Sequence, residues 1–164
     1  MASGVSIRNP TSDPTARPAA PSAESIDDLV GRFAARTLPH AEWTHRAHLM
    51  VGAWHVHRHG PDDALARLRA GIRALNDAHG TPNTATSGYH ETVTRAYVRL
   101  LGEFLGACPI EMPLAERVAA ILAGPLAARD VLSKFYSRER LMSAAARAAW
   151  VEPDLAPLRM GDDR

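Results

Sequence analysis

The sequence predicts an all-α protein, a compact single-domain bundle of about five to six helices behind a disordered N-terminal tail. Three observations carry this. Apolar residues recur at three- and four-residue steps along most of the chain, and no stretch reads as a strand. Prolines and glycines fall between the periodic runs, where helices start and stop. The chain has 164 residues, the size of one domain with a single core.

The elements follow in order. Residues 1–24, "MASGVSIRNPTSDPTARPAAPSAE", hold four prolines and no apolar run. They lack the basic start and the apolar core of about 7–15 residues that a secretory signal needs. This stretch reads as a disordered tail. The helical domain is expected over residues 25–158, with a short C-terminal tail over 159–164. Ser25, with Asp28 three residues on, reads as the N-cap of "IDDLVGRFAART". After Pro39, "EWTHRAHLMVGAWHVHRH" reads as a second helix closed by Gly60. Pro61 opens a third, with Asp62 and Asp63 in its first turn, where carboxylates meet the positive end of the dipole. Its stripe is Leu65, Leu68, Ile72 and Leu75, and it ends at His79 and Gly80. The polar stretch "TPNTATSG" precedes a fourth helix, "YHETVTRAYVRLLGEFLGA", broken near Pro109. Pro113 starts "PLAERVAAILAG" and Pro125 starts "PLAARDVLSKFY". The remainder reads as a short helix and an extended segment lying on the body.

Composition excludes several functions. The formal net charge is +1, which gives no reason to expect nucleic acid or an anionic membrane surface as a partner. No segment approaches the roughly 20 apolar residues of a membrane span. A single cysteine, Cys108, excludes an internal disulfide and fits a reducing cytoplasm. The apolar faces of the later helices suit either intramolecular packing or a homodimer.

The informative feature is histidine. Five of the eight, His45, His48, His55, His57 and His59, lie between Glu42 and Gly60. At about 100° per residue, His45, His48, Gly52, His55 and His59 share an arc of roughly 80°. The Gly60–Pro61 turn forces antiparallel packing of the second and third helices. His79 therefore returns toward His45, and His90 starts the fourth helix at the same end. His55 and His59 lie about 15 Å away, at 1.5 Å per residue. They read as last-turn histidines that meet free carbonyls and the negative end of the dipole.

At a helix N-terminus the dipole opposes a protonated histidine, so His45, His48 and His90 are expected to be neutral, the metal-binding form. The sequence therefore predicts one divalent ion, zinc or iron(II) before copper, held by His45, His48 and His90 with His79 as a further candidate. Glu91 and Glu42 are the candidates for moving protons beside it. Glu42 and His45 give the Glu-x-x-His spacing of di-iron bundles, but those sites need a second copy and none is present. Tyr89, Tyr97, Arg138 and Arg140 are candidates to bind a substrate, the arginines through a carboxylate or phosphate. The expected function is a metal-dependent enzyme acting on a small molecule. The alternatives are a helical module that binds a small ligand without turnover, and a metal-free His/Glu acid–base enzyme.

The stretches "EWTHRAHL", "LRAGIRALNDAHG", "GYHETVTRAYVRL" and "YSRERLMSAAARAAWVEPDL" together resemble a set of small bacterial hypothetical proteins. The resemblance spans roughly residues 38–158 and includes His45, His48 and His90. It implies no reaction, cofactor or substrate.

Overall fold

Helix α1, Ala23–Ala35, opens the described chain, and it begins earlier than Ser25. The computed structural model describes residues 19–161. Most of the expected N-terminal tail, and residues 162–164 of the C-terminal one, lie outside the described residues. Ser22 caps α1. Its hydroxyl accepts from the Ser25 amide at 3.1 Å, while the Ser25 hydroxyl accepts from the Ser22 amide at 2.9 Å. Two serines thus satisfy each other's end groups, and Asp28 is left to pair with Arg32.

Five more α-helices follow: α2, His45–Ala78; α3, Glu91–Ala107; α4, Leu114–Ala123; α5, Arg138–Leu141; and α6, Ala144–Ala148. The described residues contain no strand. No helix among them is long and apolar enough to cross a membrane. Glu42 falls in a 3-10 turn, His40–Glu42, and α2 starts at His45, capped by the Thr44 hydroxyl on the Ala47 amide. The expected second and third helices are the two halves of α2, broken at Gly60 with φ 75° and ψ 165°. That backbone region is open only to glycine. The halves pack side by side: Leu49 and Gly52 of the first line the same space as Ile72 and Leu68 of the second.

One expected helix is absent. "PLAARDVLSKFY" forms two 3-10 turns, Pro125–Ala127 and Val131–Lys134, instead of an α-helix. Its buried residues are Leu126, Val131 and Leu132. A helix puts positions five apart on different faces, so the chain turns between them to bury all three.

The core runs through α1, α2, α3 and α4, with Phe33, Val51, Leu75, Leu101 and Ile121 buried at its centre. The C-terminal segment is strapped across α3. Thr92, fully buried, donates to the Ala149 carbonyl and accepts from the Val151 amide. Arg147 donates to the Gly88 and Tyr89 carbonyls. Within the strap, Tyr136 donates to the Val151 carbonyl, Ser137 to the Asp154 carboxylate, and Arg140 to the Glu152 carbonyl. The YHET and YSRERL…WVEPDL stretches therefore hold each other in place.

Candidate functional site

A cavity of about 400 Å3 lies between the two halves of α2 and α3. Leu49 and Gly52 come from the first half of α2, Leu68 and Ile72 from the second, and Val93, Tyr97, Val98 and Leu101 from α3. Most of the wall is apolar. Gly52 marks a close approach of α2 to α3 on this wall: a Cβ there would lie 3.0 Å from Leu101 Cδ1.

His45 and His48 are on the same wall. They stand three residues apart at the start of α2, so both face the cavity side of the helix. His48 donates from Nδ1 to the Thr44 carbonyl at 2.6 Å. That bond fixes the tautomer and leaves Nε2 as an acceptor. Trp43 lies against the ring, centroids 3.8 Å apart, and stacks on Phe33 of α1 at 5.1 Å. His48 keeps part of its surface open, yet the dense surroundings push its pKa below the ordinary value; the Thr44 bond opposes this and His45 adds to it.

His45 packs edge-on against Tyr97, centroids 5.7 Å apart. Its Nε2 is buried and has no hydrogen-bond partner among the described residues. Burial lowers its pKa, the Leu126 and Ala127 backbone partly opposes this, and the charge of Arg129 lowers it further. Both imidazoles are therefore neutral at neutral pH. Burial also pushes the Tyr97 phenol up to about 12, with Asp130 adding to the shift, so it remains a hydroxyl donor.

The other predicted site residues lie elsewhere. His90 caps α3 rather than sitting in its first turn, and both its nitrogens are taken. Nδ1 accepts from the Val93 amide and Nε2 donates to the Leu141 carbonyl at 2.9 Å. His79 donates from Nε2 to the Leu38 carbonyl, its Nδ1 is buried without a partner among the described residues, and its ring lies edge-on to His40 and off the cavity. Glu91 is buried and receives two bonds from Arg69, at 2.6 and 2.8 Å, and one from Tyr89 at 2.9 Å. Glu42 pairs with Arg32 at 2.7 Å. Neither glutamate lines the cavity, so neither is placed to move protons there. Arg138 lines an adjoining cavity with Tyr97, and Arg140 serves the strap.

Among the described residues, no group of three or more His, Cys, Asp or Glu side chains is placed to hold a metal ion. Metal ligation here would rest on His45 and His48 alone. His55 donates from Nδ1 to the Val51 carbonyl within a cluster with Trp54 and His59, while His57 is exposed.

Three wall residues able to hydrogen-bond were not among the sequence's candidates: Trp43, Thr94 and Arg129. Arg129 left one faint signal, since no acidic residue stands three or four positions from it to pair along a helix. No family model, curated protein or solved structure matches this chain.

Proposed function

We propose that the protein takes a small, largely apolar molecule into the cavity between α2 and α3. His45 and His48 would act on it as neutral imidazoles. One observation carries this reading. On the apolar wall of this cavity the His45 Nε2 is buried without a hydrogen-bond partner among the described residues, and the Nδ1 bond of His48 to the Thr44 carbonyl leaves its Nε2 free; the unpartnered Nδ1 of His79 lies off the cavity. An unpartnered imidazole nitrogen in a buried setting costs free energy unless a ligand meets it. A volume of about 400 Å3 with a few polar groups among apolar ones is the composition of a small-ligand site.

The chemistry such a wall supports is proton transfer. His48 Nε2 is an acceptor by tautomer, and a neutral imidazole is a general base near neutral pH. Tyr97, packed against His45 on the same wall, supplies a hydroxyl donor. A free thiol at Cys108 is consistent with a cytoplasmic setting for this reading.

A fragment screen followed by thermal shift tests it. Ligands that bind the cavity raise the melting temperature of the wild type. Ile72→Trp fills the space and should abolish the rise, while His48→Ala should reduce it. Fragments that stabilise all three proteins equally would refute the site.

The second reading is a divalent ion on the same pair. The spacing of His45 and His48, with a lone pair available on His48 Nε2, favours it. Elemental analysis of protein purified without chelator checks it. About one equivalent of metal, lost in a folded His45→Ala/His48→Ala variant, is the supporting result; metal retained in that variant, or none in either protein after loading, counts against it.

A further inference from the structure

We infer that the molecule taken into this cavity is a small organic acid, with its apolar body between α2 and α3 and its carboxylate at Arg129. This rests on the reading of the cavity as a ligand site. Arg129 is the single formally charged residue on the wall. The ion pairs among the described residues join Arg32 to Asp28 and Glu42, and Arg69 to Glu91, so Arg129 has no carboxylate in pairing range there. Its charge reaches into the site, where it opposes protonation of His45.

Arg129 also lines the adjoining cavity of about 470 Å3, where Arg138 is a second cation and Asp130 the one acid. Tyr97 stands on both walls. A carboxylate beside Arg129 would thus meet a guanidinium fork and have a phenolic hydroxyl nearby, the donor types that recognise it best.

Other ligand classes fit less well. A cation would be repelled by Arg129 and find no acid on the cavity wall. A phosphate monoester brings more charge than one guanidinium offsets, against walls that are mostly apolar. The volume lies near the lower end of the range of about 300–1,000 Å3 for ligand sites, which favours a monocyclic or short-chain acid.

The test pairs acids with amides of the same shape, phenylacetate with phenylacetamide and hexanoate with hexanamide, by calorimetry on the full chain. Each acid should bind about tenfold more tightly than its amide, the size of one net charge-assisted contact. Arg129→Gln should bring the acid down to the level of the amide and leave the amide unchanged. Arg129 is exposed, so the variant should fold, with circular dichroism as the check. Acid and amide binding alike, or acids indifferent to Arg129→Gln, would overturn the assignment of the carboxylate while the cavity stands. If neither acids nor amides bind, this inference fails. If, in addition, the fragment screen yields nothing that Ile72→Trp removes, the ligand-site reading fails with it.

Discussion

Glu91 follows Tyr89 and His90 in a stretch that looks catalytic on paper, yet its carboxylate is used up. Arg69 holds both oxygens and Tyr89 holds one, and these bonds keep its pKa below the usual carboxylate range, Arg69 most of all. Removing it strands the Arg69 guanidinium and takes the carboxylate acceptor from the Tyr89 hydroxyl. Because the Arg69 side chain is 39 % exposed, water offsets part of the loss. Glu91→Ala should therefore destabilise by about 2 kcal/mol in urea unfolding, less than a fully buried pair would cost. Ligand binding in the cavity should survive at temperatures where the variant is folded. His90 gives a second test. Burial lowers the pKa of His45, His48, His55 and His90 below the ordinary value near 6.5. The unfolded chain then binds protons that the folded one refuses, so stability is full above about pH 7 and falls as pH drops through 6.5. The urea midpoint should decline between pH 7.5 and 5.5, and the decline should be shallower in His90→Asn. A flat midpoint across that range would contradict the lowered pKa values of these rings. Loss from Glu91 and Asp154, whose pKa values are lowered, comes separately, below their ordinary values near 4.5 and 3.8.

Helix α2 does most of the positioning. Its first half carries the histidines, its second half carries Leu68, Ile72 and Arg69, and Gly60 folds one onto the other. A Cβ on Gly60 would meet nothing within 4 Å, so replacement there tests backbone conformation alone. Gly60→Ala should cost about 1–3 kcal/mol and weaken ligand binding in parallel, because the cavity depends on that pairing. An alanine variant as stable as the wild type would show that the turn relaxes into another conformation. This turn was legible from Gly60–Pro61, and so were the stripe from Leu65 to Leu75 and the sharing of one face by His45, His48 and Gly52. The grouping of His90 with them was not. From sequence, His90 and His48 start neighbouring helices at one end of the bundle. The structure turns His90 toward the strap, because the Leu141 carbonyl, 51 residues later, bonds its ring. No local pattern encodes a contact of that span. The same limit hid the pairing of Thr92 with Ala149 and Val151, and the turns that replace a helix after Pro125.

As a molecule, the protein divides its polar residues between two tasks. Tyr89, His90, Glu91, Arg147, Ser137 and Asp154 fasten the C-terminal strap and its neighbours. His45, His48, Tyr97 and Arg129 surround the cavity and are only lightly used by the fold. Tyr89, His90 and Glu91 read as site candidates in the sequence because buried structural networks draw on the same residue types as catalysis. The measurement that most directly tests this division is a nuclear magnetic resonance map of amide and histidine ring shifts on adding a cavity-sized ligand. Shifts concentrated on His45, His48, Thr94 and Tyr97, absent in Ile72→Trp, with the His90 ring unmoved, are the predicted result. Shifts centred on His90 and Glu91, or on the polar cleft between Arg73 and Arg147, would place the site elsewhere and contradict the account.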